Sequence, residues 1–160
     1  MPIEVHPSGR AAGADLTGVD LREPLSSSQF AIIQDALDRY GVICLRRQNI
    51  EPEHQIAFTE LFGEPDVNFN ALRFGVDGSP IIYRISNITE DGKHIGTVRA
   101  GETWHTDMSY AKNPAAVTML YALEVPALHG LPLGGTGFAN AAAAYDALPD
   151  SMKDAIEGLK

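Results

Sequence analysis

Apolar and polar residues change period several times along the chain, and the first change is the clearest. In "SSSQFAIIQDALDRYG" (26–41), Phe30, Ile33, Leu37 and Tyr40 recur three or four positions apart, which puts them on one face of a helix. Ser26–Ser28 supply N-cap hydroxyls and Gly41 a C-terminal stop, so the spacing predicts a helix between them. "VICLR" (42–46) follows as a continuous apolar run, short enough for a strand buried on both faces. "EPEHQIAFTELFG" (51–63) predicts a second helix, with Pro52 near its first turn, His54 solvated on it and Gly63 at its end. Ahead of these, "GADLTGVDL" (13–21) alternates small or apolar residues with polar ones, the pattern of short strands around a glycine turn.

Beyond residue 63 the helical period gives way to loops and short strands. Residues 64–79, rich in Asn, Pro, Gly and Asp, predict a loop. "PIIYRISNI" (80–88), "GETWHTDMSY" (101–110) and "VTMLYALEV" (117–125) predict strands, with turn chemistry between them in "TEDGK" (89–93) and "AKNP" (111–114). "ALHGLPLGGTG" (127–137) reads as a Gly/Pro-rich connection, and the remainder as helical segments broken at Pro149. On those segments Tyr145 and Leu148 are expected in the core, as are Trp104, Tyr110 and Tyr121 among the strands. Two early helices beside a series of short strands suggest a single α+β domain with a β sandwich or barrel core.

Charge and composition narrow the function. The 160 residues carry 21 acidic against 12 basic side chains, a formal net charge of −9. A phosphate surface needs clustered Lys and Arg, and no basic run exceeds Arg46-Arg47, so neither nucleic acid nor an anionic membrane is expected as a partner. The single cysteine, Cys44, sits in an apolar stretch and is expected to be buried and inert. The N-terminus has no apolar core of a signal peptide, and no run approaches the ~18 residues of a membrane span. The expectation is a soluble, cytoplasmic protein.

The chemistry-bearing motif is His105-Thr106-Asp107. On a strand, side chains two positions apart share a face, so His105 and Asp107 would project together. An imidazole nitrogen with a carboxylate oxygen makes two-thirds of the 2-His-1-carboxylate triad of non-haem Fe(II) oxygenases. The same pair also suits a structural hydrogen bond, and His with Asp can hold Zn²⁺ in a hydrolytic site.

Four segments carry a resemblance beyond that pair: "GADLTGVDLREPLS" (13–26), "ALDRYGVICLRRQNIEPEHQIAFTELFGEP" (36–65), "WHTDMSYAKNPAAVTMLYALEVP" (104–126) and "GGTGFANAAAAYDALPD" (134–150). In this order they resemble the TauD/TfdA family of Fe(II)- and 2-oxoglutarate-dependent dioxygenases. The resemblance implies a double-stranded β-helix (jelly-roll) core with flanking helices. It implies His105 and Asp107 as Fe(II) ligands, and Thr136 as a hydrogen-bond partner of the 2-oxoglutarate cosubstrate. It also implies O₂ and a small, acidic organic substrate.

Two departures qualify the match. Gly134-Gly135-Thr136 lacks the Asp of the family's Gly-Gly-Asp-Thr, and no residue matches the family's distal histidine or its 2-oxoglutarate-binding arginine. The core is therefore expected to be incomplete at the C-terminus, which opens a second reading: a catalytically silent chain acting as a partner-dependent interaction module or fragment. His129, in a flexible Gly/Pro setting, is expected to be a solvated loop residue rather than the third ligand, and His6, in a polar N-terminal tail, and His94, after the "EDGK" turn, are expected at the surface. Asn68 falls where some family members place a substrate-binding residue, but as an asparagine in a polar loop it reads rather as a polar loop residue. An open sheet edge and the apolar "VTMLYALEV" predict a homo-oligomer.

Overall fold

The structure is a computed structural model that describes residues 2–67 and 69–159. In chain order its elements are β1 (Glu4–Pro7), β2 (Ala14–Thr17), α1 (Ser27–Tyr40), β3 (Ile43–Leu45), α2 (Pro52–Glu60), α3 (Ala71–Phe74), β4 (Thr89–Glu90), β5 (Lys93–His94), β6 (Ala127–Leu128), β7 (Leu131–Pro132), α4 (Ala141–Asp146) and α5 (Asp150–Ile156). They fall into two units: residues 1–48 with 124–160, and residues 49–123.

The first unit is built on a three-stranded sheet in the order β1-β2-β3. β1 runs antiparallel to β2, with Val5 opposite Leu16, and β3 runs parallel to β2, with Leu16 opposite Leu45. A parallel pair needs a crossover, and α1 supplies it. Ser26 accepts a hydrogen bond from the Gln29 amide while the Gln29 side chain accepts one from the Ser26 amide, a reciprocal cap that fixes where α1 begins. Gly41 ends it in the left-handed conformation. Ala14 and Leu16, two apart on β2, point inward and meet a core that includes Ile33 and Ala36 of α1. β1 falls in a segment read from sequence as a polar tail, where His6 pairs with Thr17 at 3.2 Å. Cys44 is half-buried, not buried, because β3 is a sheet edge.

β6 and β7 form a hairpin closed by His129-Gly130, both at positive φ, where the sequence suggested only a connection. Asn140 caps α4 through the Ala143 amide and donates to the Ala11 carbonyl, tying this helix to the start of the chain. Pro149 separates α4 from α5 as expected, but neither helix contributes a buried residue, and Tyr145 is exposed beneath Lys153.

In the second unit, Ile50, Phe58 and Ala71 are buried, and Phe58 packs edge-on against Phe62 at 5.4 Å. His54 is not merely solvated: its Nδ1 accepts from the Glu51 amide and closes the start of α2. Residues 64–79 are largely loop, interrupted by the single turn of α3, and Asn68 lies outside the described residues. Asp91-Gly92 turns β4 into β5 with both residues at positive φ.

Segments 80–88, 101–110 and 117–125 do not form the predicted strands; only isolated bridges appear, Gly75 with Tyr83 and Ile85 with Thr97. A strand exists only through its ladder, and among the described residues no segment pairs with 101–110 or 117–125. The described residues accordingly form three small sheets rather than a closed jelly roll. Trp104 and Tyr110, expected in a core, are 78% and 83% exposed. Leu120 and Leu123 are 62% and 74% exposed.

Candidate metal centre

His105 and Asp107 are brought together, but not by a shared strand face. Residues 104–106 are irregular, and a turn begins at Asp107 with Met108 at φ 53°. His105 Nε2 lies 3.1 Å from Asp107 Oδ1, with both side chains about half exposed (51% and 46%). Two further contacts fix the pair. His105 Nδ1 lies 2.7 Å from the Thr103 carbonyl, and Thr118 Oγ1 donates to Asp107 Oδ2 at 2.8 Å.

These contacts determine the protonation pattern. A carbonyl oxygen only accepts, so Nδ1 must carry the hydrogen in the bond to Thr103. In the neutral imidazole that leaves Nε2 with its lone pair facing Asp107 Oδ1. Two acceptors 3.1 Å apart repel each other unless a cation, either a proton or a metal ion, stands between them. The Thr103 bond, and behind it the Asp107 charge, raise the His105 pKa above its ordinary 6.5, against an opposing desolvation.

The donor set fits a divalent metal as far as it goes. Ligands at about 2.1 Å on adjacent corners of one ion lie about 3 Å apart, close to the observed spacing. A metal-bound histidine commonly donates its other N–H to a carbonyl, as His105 does, and its carboxylate neighbour is commonly hydrogen-bonded, as Asp107 is by Thr118. Neither Thr103 nor Thr118 was identified from the sequence, since a backbone carbonyl carries no sequence signal and Thr118 is 11 positions from Asp107. Among the described residues no group of three or more His, Cys, Asp or Glu could hold a metal ion.

Thr136 is exposed in the irregular stretch after β7 and belongs to the first unit, as does His129 at the tip of the β6–β7 hairpin. Glu102 is engaged by Arg99 at 2.7 Å. No described helix is long and apolar enough to cross a membrane.

Comparison with known proteins agrees with this chemistry. The chain is 32% identical to the alpha-ketoglutarate-dependent 2,4-dichlorophenoxyacetate dioxygenase of Cupriavidus pinatubonensis, an alignment covering 100% of the chain and 58% of the relative. It is 29% identical to the alpha-ketoglutarate-dependent sulfate ester dioxygenase of Pseudomonas putida, over 99% of the chain and 48% of that protein. The chain thus spans about half the length of the relatives it matches. Its structure is similar to that of a taurine dioxygenase from Burkholderia xenovorans (TM-score 0.68, 30% identity, 98% of this chain and 51% of that one). It is also similar to AAD-2, solved in complex with Mn(II) and N-oxalylglycine (TM-score 0.61, 26% identity, 98% and 51%). The family model of the taurine catabolism dioxygenases matches residues 4–160, and the chain belongs to the TauD, TfdA family.

Proposed function

We propose that this chain carries part of the active site of an Fe(II)- and 2-oxoglutarate-dependent dioxygenase, with His105 and Asp107 as two of the metal's protein ligands. The observation that carries the reading is the pair of acceptors facing each other at 3.1 Å, a geometry that calls for a cation. Bound there, Fe(II) would supply O₂ activation, with one oxygen atom entering the succinate formed as 2-oxoglutarate loses CO₂ and the other hydroxylating the substrate. The chain's own residues prepare for this. Thr103 holds the imidazole in the tautomer that offers Nε2, and Thr118 occupies one carboxylate oxygen of Asp107 so that the other faces Nε2.

The relatives named for dichlorophenoxyacetate and sulfate esters act on organic anions, which supports a small organic acid as substrate. Thr136 is assigned to the 2-oxoglutarate by family resemblance, and the whole protein's core is read as a jelly roll on the same ground. Among the described residues no third donor joins the pair, which favours a second reading beside the first, in which the chain is catalytically silent and works with a partner. The exposed Leu120 and Leu123 support self-association. Light scattering at tens of micromolar is expected to show a species larger than one chain, and a strict monomer would remove that part of the proposal.

The decisive experiment is Mn(II) titration by electron paramagnetic resonance on the chain, His105→Ala and Asp107→Ala. Weak binding to the unmodified chain, lost in both variants, is expected. Equal binding in all three would sink the metal assignment. Succinate formation from labelled 2-oxoglutarate by the chain alone should stay at the rate of free Fe(II). Robust turnover abolished by His105→Ala would instead rule out the silent reading.

A further inference from the structure

The second unit contains a concave site of about 530 Å³ whose lining includes Arg73, Phe74, Arg84, Lys93, His94 and Ile95. Three of the chain's 12 Lys and Arg residues meet there, although the chain as a whole carries −9. No acidic side chain lines it among the described residues, and Glu90 and Asp91 of the adjoining hairpin are not part of the wall. The ion pairs of the described residues involve Arg22, Arg46, Arg99 and two histidines, leaving Arg73, Arg84 and Lys93 without a carboxylate partner.

The backbone assembles these cations from three places in the sequence. The Arg84 amide donates to the Phe74 carbonyl at 2.9 Å, which sets the segment after α3 beside residues 83–85. The Thr97 amide then donates to the Arg84 carbonyl at 2.8 Å, which brings in the chain leaving β5. Both junctions depend on glycine. A Cβ at Gly75 would lie 2.5 Å from the Ala71 oxygen and 2.6 Å from the Ser79 oxygen. One at Gly96 would lie 2.7 Å from the Ser86 nitrogen and 2.8 Å from the Arg84 oxygen. Any side chain at either position would force the backbones apart and scatter the basic groups.

We infer that this pocket binds the carboxylate of a small organic acid with an apolar body. Guanidinium groups recognise a carboxylate through two parallel N–H bonds, and Lys93 adds a mobile point charge. The Arg73 guanidinium lies 4.8 Å from the Phe74 ring centre, so stacking limits where it can point. Phe74 and Ile95 supply the apolar wall that would separate such an acid from acetate. In a chain of formal net charge −9, cations with no carboxylate partner among the described residues, gathered in a concavity, focus the field and draw an anion to that place. The inference stands on these residues and does not depend on the metal assignment. The acid has two sources, the substrate of the proposed oxidation or a separate acid bound away from the metal pair.

The test uses calorimetric titration of the chain with phenoxyacetate, hexanoate and acetate. At least one of the two larger acids is expected to bind, at least tenfold more tightly than acetate. Arg84→Gln and Lys93→Gln should each weaken it about tenfold, with circular dichroism and Mn(II) affinity unchanged, since both side chains are exposed. Failure of both larger acids to bind at millimolar concentration, or equal affinity in the variants, would overturn the inference. Acetate binding as tightly as the larger acids would overturn the ligand class. The sources separate in an NMR arm: Mn(II) broadening of the bound acid's protons, lost in His105→Ala, marks a substrate. Binding without broadening marks an acid held apart from the metal.

Discussion

Between Ala14 and Leu45 the chain is held by packing, whereas between Thr103 and Thr118 it is held by hydrogen bonds on a half-exposed surface. The first stretch buries Leu16 to 2% and Ile33 to 0% exposure, between a three-stranded sheet and the helix that crosses it. In the second, three polar contacts of 2.7–3.1 Å order His105 and Asp107, while Trp104 beside them is 78% exposed. Folding free energy and ligand geometry are thus supplied by different residues. A change to the packing residues should therefore fall on stability, and a change to the polar contacts on ligand geometry.

Removing packing should produce the largest effect. Ile33→Ala deletes a fully buried side chain and is expected to cost about 3 kcal/mol in urea unfolding. Metal binding measured under native conditions should survive it. Loss of the metal site in a variant that still folds would show that the two regions are coupled.

Acidity comes next. Metal requires the neutral imidazole, and the His105 pKa is raised above 6.5. Mn(II) affinity should therefore hold above the raised pKa and fall up to about tenfold for each pH unit below it. In the metal-free chain the sign is opposite. The raised pKa favours the folded state below the unfolded value, and that contribution disappears as pH rises through the folded value. Affinity that is flat from pH 8 to 5 would contradict the assigned tautomer.

Thr118→Val tests the support of the carboxylate. Losing the hydroxyl that holds Asp107 Oδ2 should weaken Mn(II) binding about tenfold while Thr118→Ser retains it. Smallest of all should be Trp104→Ala, within about 0.5 kcal/mol of the parent stability, since little of that ring is packed. A shift of several kcal/mol there would mean that the site segment carries a core of its own.

Legibility followed the same division. α1 could be read because its apolar stripe, its Ser26 cap and its Gly41 stop are local signals that agree with how the helix packs. β1 was missed because only its register with β2, Val5 opposite Leu16, distinguishes it from a polar tail. For 101–110 and 117–125 a strand-like composition between turn signals was present, but a ladder needs a neighbour, and no described segment supplies one. His105 and Asp107 do lie together, at 3.1 Å, but not on the strand face expected of them. The turn at Asp107 and the Thr103 and Thr118 bonds do the work assigned to a strand face. The basic pocket left no run in the sequence because its cations come from positions 73, 84 and 93.

That pocket divides its residues into two kinds with opposite tolerances. Gly75 in its wall and Gly96 next to Ile95 form a frame where no side chain fits. Arg73, Arg84 and Lys93 are exposed, so the fold asks little of them. Ligand preference at this place can therefore drift by single substitutions that leave stability intact, from acids to neutral or cationic molecules, as long as the two glycines stay. Such a surface can change its ligand without the fold having to be reinvented.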